Sequence, residues 1–465
     1  MLCYIVLLLA TIWTGLAFTK QQNPCLQTQI IVHIGLDSVT SGSTNNINYN
    51  EQNVDGENRT LLKCNDTGYS IRCPNLETAL KMNVLSNRCL LLYNDETIES
   101  AHDKRHVNNL ILSPALSNQT KTLKILFTND NSSLIFWNCR HIHVMNIDFV
   151  QRENIHLPYR ALSFNISRNL NISRVSFRNF VGYALSITAE ENAGDILLTE
   201  LIFESNRSRE EVCKGMNIET VSNASCTITI TNSHFINLTD QRNATVCSEN
   251  ENDDDGDEYQ LCGRGAALGI LFGDSPMDVK LTLSNQSRFI ENHAFIGAGI
   301  YVKMPSVVGG GGNITVSGTE FIGNKALFLG GGILFTEPDG RKINAKKSNE
   351  KITINFNHLK FFNNTADRGG AMAFWKIGDM VNGSITLKDS IFHRSKASAC
   401  GADVYSVKSS LSLINVQTTS CECIKESQQK QGFGSVAIYD TVLAVQSVQI
   451  LNPVSYTHLT LPTKA

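Results

Sequence analysis

The chain alternates apolar and polar residues in short runs that recur along the sequence. Two apolar residues, one position apart, are followed five residues later by phenylalanine, as in ITITNSHF and ITVSGTEF. Alternation combined with many β-branched residues favours β-strands over helices. Six copies keep this spacing: Ile142/Val144 to Phe149, Leu170/Ile172 to Phe177, Ile196/Leu198 to Phe203, Ile228/Ile230 to Phe235, Ile314/Val316 to Phe321 and Ile385/Leu387 to Phe392.

Two further copies carry one or two extra residues, Leu281/Leu283 to Phe289 and Ile352/Ile354 to Phe361. The steps between successive phenylalanines are 28, 26, 32, 54, 32, 40 and 31 residues. The unit is therefore constant while the connections vary in length. This pattern is typical of a repeat architecture in which the insertions form loops.

The later copies also share the residues after the phenylalanine. Position +3 is asparagine or serine, and position +5 is alanine: Asn292, Asn324, Asn364 and Ser395, then Ala294, Ala326, Ala366 and Ala397. A glycine-rich turn then leads into a third apolar strand. We expect three short strands per unit and an all-β fold, a right-handed parallel β-helix (solenoid) of about 8–10 coils with a short N-terminal capping region.

The F-x-x-N-x-A and G-G-A repeats resemble those of the right-handed β-helix proteins of the polymorphic outer membrane protein type, which also occur in secreted proteins of simple animals. The resemblance is strongest over residues 280–405 and weaker over 140–240. The segment CPNLETAL, residues 73–80, is similar to the short helix that precedes the first coils in such proteins. The resemblance implies the fold, an exported location and a surface or adhesive role, without an enzymatic activity.

Stacked coils place equivalent residues in columns along the helix axis. We expect an aromatic core column of Phe289, Phe321, Phe361 and Phe392 and an inward amide column of Asn292, Asn324 and Asn364. Each amide can bond its neighbours above and below. None of the three is the acceptor asparagine of a glycosylation sequon, as an inward column requires. Asn206 is both a +3 residue and a sequon, which leaves the register of its coil open.

The pattern of the whole chain divides it into four segments. Residues 1–17 have an apolar run followed by Gly15 and Ala17, as in a cleaved signal peptide; an uncleaved anchor is the alternative. Residues 18–135 form an N-terminal region with a capping helix and first strands, and 136–453 form the β-helix. Residues 454–465 resemble a translated sequencing adapter, with a genuine extension as the alternative. If the tail is an artefact, a membrane anchor beyond residue 453 is possible.

Composition supports a folded, exported protein. Hydrophobic residues make up 42% of the chain and charged residues 18%, and the net charge is -3 with no basic tail, so nucleic acid is not an expected partner. Twelve cysteines remain when Cys3 of the signal is set aside. In an oxidising compartment we expect them to form disulfides, with Cys247 and Cys262 closing one loop.

Glycosylation points to the same compartment, secreted or on the extracellular face of the plasma membrane. Fourteen N-x-S/T sequons are expected to carry glycans. They are Asn58, Asn65, Asn118, Asn131, Asn165, Asn171, Asn206, Asn223, Asn237, Asn243, Asn285, Asn313, Asn363 and Asn382.

The acidic insertion around SENENDDDGDE is a candidate calcium site. An EF-hand alignment would use Glu251, Asp253, Asp255 and Gly256, but it places Cys262 where a bidentate glutamate is needed. Two interpretations remain. One is a looser calcium site that would use Asp253, Asp255, Asp257 and Glu258, and the other is a solvated charged loop.

Two other motifs carry little chemistry. Gly309 to Gly312 lacks the Lys-Ser/Thr of a phosphate-binding loop, so it is interpreted as a flexible connection. His141 and His143 share one strand face, but no third ligand lies nearby in the sequence, which favours surface histidines. No metal and no cofactor is predicted.

Parallel β-helices also include polysaccharide lyases and hydrolases, for which Asp367-Arg368 and Asp403 are the candidate residues. Counting from the repeat aligns Asp403 with Ile300, Ile333 and Met372 and gives no acid above or below Asp367. Glycoside cleavage needs paired carboxylates. We therefore expect a non-catalytic secreted or cell-surface glycoprotein for adhesion, recognition or structural support, with an unidentified extracellular protein or glycan ligand; the alternative is a carbohydrate-active enzyme.

Overall fold

The computed structural model describes residues 30–34, 45–46, 65–66, 70–81, 85–115, 122–129, 132–153, 160–207, 212–221, 224–240, 265–273, 278–305, 312–337, 352–378, 381, 385–423, 435–439 and 443–451. Within these ranges no helix has the length and apolar character needed to cross a membrane.

Short strands make up almost all of the regular structure. In the N-terminal part they are β1 Ile30–Ile34, β2 Asn45–Asn46, β3 Asn65–Asp66, β4 Ser70–Cys73, β5 Arg88–Leu92, β6 Glu96–Ile98, β7 Ala101–Arg105, β8 Asn108–Pro114, β9 Leu123–Phe127, β10 Ser133–Met145 and β11 Ile147–Gln151. The next are β12 Leu162–Arg178, β13 Gly182–Ala189, β14 Gly194–Glu204, β15 Cys213–Thr220, β16 Ser225–Thr231, β17 His234–Ile236, β18 Thr239–Asp240 and β19 Leu268–Leu271. Helix α1 spans Leu76–Leu80.

The later repeats contribute shorter strands of regular length. They are β20 Asp278–Ser284, β21 Arg288–Ile290, β22 His293–Ile296, β23 Ile300–Lys303, β24 Gly312–Ser317, β25 Glu320–Ile322, β26 Lys325–Leu329, β27 Ile333–Thr336, β28 Ile352–Asn357 and β29 Lys360–Phe362. The last are β30 Thr365–Arg368, β31 Met372–Trp375, β32 Ile385–Lys388, β33 Ile391–His393, β34 Lys396–Cys400, β35 Val404–Val407, β36 Leu411–Thr419, β37 Glu422–Cys423, β38 Val436–Tyr439 and β39 Leu443–Leu451.

Each later repeat divides into four strands, not the three expected from the sequence. In the repeat formed by β20 to β23, the backbone enters the left-handed region at Gln286, Glu291 and Gly297, with φ of 59°, 51° and 58°. These residues lie between consecutive strands, so each one turns the chain at a corner. The phenylalanine therefore occupies a strand of its own, separated from the apolar pair that precedes it.

From β20 to β35, each strand pairs in parallel with the equivalent strand of the next repeat. β20 pairs with β24, and β24 with β28, so that Leu281, Ile314 and Ile354 align. The strand that bears the phenylalanine obeys the same rule through β21, β25, β29 and β33. The all-β class and the extended parallel pairing predicted from the sequence are confirmed, and this topology is consistent with a parallel β-helix.

The phenylalanines of all eight copies lie in one buried column. Neighbouring rings are near-parallel, with centroids 4.7–5.3 Å apart along Phe149, Phe177, Phe203, Phe235, Phe289, Phe321, Phe361 and Phe392. The spacing is close to the 4.7–4.9 Å between paired strands, because each ring lies on a strand bonded to the next. The column ends where Thr418 aligns with Phe392.

A buried amide column runs beside the rings. The Asn324 Nδ2 donates to Asn364 Oδ1 at 3.0 Å and to the carbonyl oxygen of Phe289 at 2.9 Å. Its Oδ1 accepts from both the Nδ2 and the backbone N–H of Asn292, at 2.9 and 3.2 Å. Burying an amide is costly unless its polar atoms are paired, and here both Nδ2 hydrogens and the oxygen are engaged.

The N-terminal region carries the helix at the predicted place. The Asn75 side chain caps α1 by accepting the Thr78 N–H at 2.8 Å. Glu96 accepts the Leu76 N–H at 2.8 Å, and burial raises the pKa of its carboxyl to about 7. This helix packs against the first strands, with Leu76, Ala79 and Leu80 buried.

The cysteines do not all behave as expected. Cys73 and Cys89 are disulfide-bonded. Cys139, Cys226, Cys400 and Cys421 are buried free thiols instead of half-cystines, so the expectation that all twelve pair is wrong for these four. Buried thiols can pack as small hydrophobic groups, and burial raises the pKa of Cys139 and of Cys226 to about 12.

Several predicted features lie outside the described residues. They are the signal peptide 1–17, the tail 454–465, Cys247 and Cys262, the acidic insertion with its candidate calcium ligands, and Gly309 to Gly311.

Candidate functional site

The third and fourth strands of each later repeat meet at a corner that is apolar on its outside as well as its inside. Ile300 and Val302 of β23 belong to the main core, whereas Tyr301 between them faces the other way. Tyr301 is nevertheless only 1% exposed because it packs with Ile296 of β22 in a second cluster. We call the outer side chains of β22, β26, β30 and β34, with those of β23, β27, β31, β35 and β38, the outer corner.

Aromatic rings that are only partly buried cover this cluster: Phe295, Phe328, Trp375 and Tyr439. The rings of Phe295 and Phe328 are near-parallel with centroids 6.3 Å apart. Those of Trp375 and the buried Tyr405 are 6.2 Å apart. The outer corner therefore presents aromatic surface on successive repeats along the molecule.

Arg368 interrupts the apolar column of the outer corner. The pairing aligns it with Leu329 on one side and Cys400 on the other. Its guanidinium carbon lies 5.2 Å from the Phe328 ring centroid and 5.9 Å from that of Tyr405. Guanidinium groups stack favourably on aromatic faces. The side chain remains 35% exposed, so the cation is held in place and still reaches solvent.

Asp367 is held by its neighbours on the same corner. Its Oδ2 lies 3.6 Å from Arg368 Nε, and its Oδ1 accepts a hydrogen bond from Ser398 Oγ. A second ion pair lies just beyond the ends of β27 and β31, where Lys376 Nζ is 3.1 Å from Glu337 Oε1 and 5.5 Å from the Trp375 ring centroid. Each of these cations thus lies beside an aromatic ring.

The predicted alignment of Asp403 is wrong by one residue. Val404, not Asp403, pairs with Met372, so Asp403 aligns with Ala371 and, through it, with Gly332. A Cβ built on Gly332 would come within 3.0 Å of the ring of Phe361, which belongs to the next repeat. At Asp403 the following repeat has Thr418 in place of phenylalanine, so no ring of that column excludes a side chain there.

Asp403 is buried in a polar cluster at this end of the aromatic column. Its Oδ1 accepts from Cys421 Sγ at 2.8 Å, and its Oδ2 accepts from Ser435 Oγ. Burial raises the pKa of the Asp403 carboxyl to about 7 and also raises the pKa of the Cys421 thiol. The side chain is 0% exposed, so it lies inside the wall of the molecule and not on a substrate-facing surface.

A buried ion pair was not predicted from the sequence. Asp240 aligns with Ala294, the +5 position that is alanine in later repeats. Its carboxylate contacts Lys214 Nζ, and both residues are less than 5% exposed. Lys214 Nζ also lies 3.2 Å from the Tyr183 hydroxyl and 4.7 Å from its ring centroid. The sequence does contain one indication of this pair: Asp240 stands five residues after Phe235, at a position where the later repeats have alanine.

His141 and His143 both lie partly buried on β10. Burial lowers the pKa of His143, with a further contribution from the neighbouring His141. The His141 ring nitrogen Nδ1 lies 3.4 Å from Asn169 Nδ2. Among the residues placed by the structure, no group of three metal-ligating side chains is found.

The sequons occupy different surfaces. Asn206, Asn285, Asn313 and Asn363 are exposed, and Asn165, Asn171 and Asn237 are partly buried. Asn206 is outside the amide column, because its neighbour Ser205 is the buried residue. The side chain of Asn65 is not described, and the remaining sequons lie outside the described residues: Asn58, Asn118, Asn131, Asn223, Asn243 and Asn382.

Comparison with known protein families finds no family model that matches the chain. No curated protein and no solved structure matches it either.

Proposed function

We propose that the chain is a right-handed parallel β-helix of about 8–10 coils that serves as a non-catalytic secreted or cell-surface glycoprotein in adhesion, recognition or structural support. The observation that carries this proposal is the register of the repeats. Eight phenylalanines and three asparagines lie in columns with one residue from each repeat, which favours a stiff body that displays its outer side chains at regular intervals.

The sequons support an exported location. Asn363 is exposed while Asn364, its neighbour in the chain, is fully buried, and only Asn363 is the acceptor of a sequon. Asn285 and Asn313 are likewise exposed. Transfer of an oligosaccharide needs an accessible asparagine in a secretory compartment. These asparagines are accessible, as that reaction requires.

The positions of the candidate acids favour a non-catalytic role over the carbohydrate-active alternative. Asp403 is buried in the wall, and Asp367 is bonded to Ser398 and paired with Arg368. Glycoside hydrolysis by two carboxylates requires both to flank one scissile bond. The other carboxylate at the outer corner, Glu337, is paired with Lys376, so both carboxylates are engaged by cations instead of flanking a substrate.

The test uses the full chain secreted from a glycosylating eukaryotic host. We expect the purified glycoprotein to attach to intact cell layers or extracellular matrix and to release no reducing ends from a panel of neutral and acidic polysaccharides. Polysaccharide cleavage that Asp367→Asn abolishes would contradict the proposal in favour of the enzyme. Retention of the chain inside the host without glycans would contradict the exported location.

A further inference from the structure

The outer corner combines three features: partly exposed aromatic rings, cations that lie beside those rings, and no described sequon on its strands. We propose that it binds an anionic polysaccharide, with Arg368 contacting carboxylate or sulfate groups and the rings of Phe328 and Trp375 packing against sugar faces. This inference rests on the proposed recognition function and names its ligand class and its site.

The aromatic rings fit a chain ligand that runs along the repeats. Phe295, Phe328, Trp375 and Tyr439 are partly exposed and come from four of the five repeats that build the corner. Paired strands are about 4.8 Å apart, so consecutive repeats offer contacts at a short, regular interval. Sugar rings have apolar C–H faces that pack on aromatic side chains, as other flat apolar groups do.

Arg368 supplies the preference for an anion. A guanidinium pairs with carboxylate or sulfate oxygens through two parallel hydrogen bonds, and a ring beneath it displaces the water that would compete. Lys376 lies beside Trp375, and Lys303 lies two repeats earlier at the position of Trp375. With Asp367 and Glu337, these five side chains hold three cations and two carboxylates, an excess of one positive charge.

The position of the sequons leaves this surface open. From residue 278 onward the described sequons are Asn285, Asn313 and Asn363. Asn313 lies on β24, and the other two lie at the corners that flank β21 and β29. The outer-corner strands from β22 to β38 carry none of them. Glycans at Asn285 and Asn313 would cover other edges. A glycan at Asn363 would lie at the end of β30 opposite Arg368.

The experiment measures binding of the full-length secreted glycoprotein to three probes: hyaluronan, which carries carboxylates, chondroitin sulfate, which adds sulfates, and neutral dextran. We expect saturable, salt-sensitive binding to at least one anionic chain and none to dextran. Preference between the two anionic probes distinguishes carboxylate from sulfate recognition. Arg368→Met should weaken binding at least tenfold, Arg368→Lys should recover part of the loss, and Trp375→Ala should weaken binding to a similar extent.

The control variant is Arg288→Met. Arg288 is also exposed and paired with a carboxylate, Glu320 at 3.0 Å, but it lies on β21 away from the outer corner. The Arg288→Met variant should bind the anionic probes as the unaltered protein does. Thermal unfolding should show that the Arg368→Met variant is folded. Equal weakening by both arginine variants, or anionic binding that Arg368→Met and Trp375→Ala leave unchanged, overturns the site. Attachment to cells that persists without any binding to the anionic probes overturns the ligand class and leaves the adhesive function standing.

Discussion

Asn363 and Asn364 are consecutive residues with opposite environments. Asn364 is 0% exposed and accepts hydrogen bonds from the side chain and the backbone of Asn324, at 3.0 and 3.1 Å. Asn363 is exposed, and its φ of 54° places it at a corner in the left-handed conformation that asparagine tolerates. One residue therefore faces solvent and the other belongs to the buried amide column.

This contrast predicts opposite effects of two substitutions. Asn363→Asp should remove one glycan with little loss of stability, whereas Asn364→Ala should cost about 1–3 kcal/mol because it leaves the buried N–H of Asn324 without an acceptor. Mass spectrometry of glycopeptides and thermal unfolding measure the two effects. Thr365→Ala, which destroys the same sequon without changing Asn363, is the control. Equal destabilisation by the two asparagine variants would contradict the inward column.

The aromatic column predicts a large effect of a single truncation. Phe321→Ala should lower the free energy of unfolding by about 3–5 kcal/mol, because its ring stacks on Phe289 and Phe361 in a fully buried site. Phe362→Ala is the matched control, since Phe362 is only partly buried and its ring contacts His393. Denaturant unfolding of both variants should show the larger loss for Phe321; similar losses would count against the column as the main core.

The buried pair of Lys214 and Asp240 predicts non-additive effects. Lys214→Met should destabilise the protein by about 3–5 kcal/mol, because it leaves the Asp240 carboxylate buried without its cation. Asp240→Ala alone should also be destabilising. The double variant should recover much of the loss, since it restores the alanine that later repeats have at this position. Simple addition of the two single losses, in a double-mutant cycle, would show that the residues are not coupled.

Asp403 predicts a pH dependence of stability. Its pKa is raised to about 7 in the folded state from a reference value of 3.8, so the folded protein holds this proton more tightly than the unfolded chain. The stabilisation that this protonated carboxyl gives the folded state is fully present below about pH 4 and is lost as the pH rises through about 7. Chemical unfolding between these limits should show the decline, and Asp403→Asn should flatten it.

Burial also raises the pKa of Glu96, so its protonated carboxyl adds to the stability of the folded state over a similar pH range. Glu96→Gln therefore serves as the companion variant, and the two substitutions together should flatten the profile further than either alone. An unchanged pH profile in Asp403→Asn would show that its carboxyl is ionised in the folded protein.

Much of the fold could be predicted from the sequence because identical side chains mark the columns. Phenylalanine and asparagine recur at fixed offsets within the repeat, so aligning successive repeats was enough to predict that these side chains stack. The four-strand division was not visible, since residues such as Gln286 and Glu291 turn the corners in place of glycine. The left-handed conformation is uncommon for such residues, so their identity does not indicate a corner.

The sites were harder to predict than the fold. Sequence spacing places Asp403 one position away from its true partner, because the number of residues between the phenylalanine and the fourth strand varies by one among the repeats. The pairing of Lys214 with Asp240 depends on contact between different strands. The outer corner did leave a signal: its fourth strands, such as IYV and ILF, are apolar without alternation, which indicates burial on both faces.

Cross-linking between successive repeats tests the stacked register most directly. Thr315 and Asn355 are partly exposed and aligned on β24 and β28, at the separation of about 4.8 Å between paired strands, which lies within the range that a disulfide can bridge. Thr315→Cys/Asn355→Cys should form that disulfide on secretion, whereas Thr315→Cys/Asn357→Cys, offset by two residues, should not. Bonding in the offset pair, or in neither pair, would contradict the register of the coils.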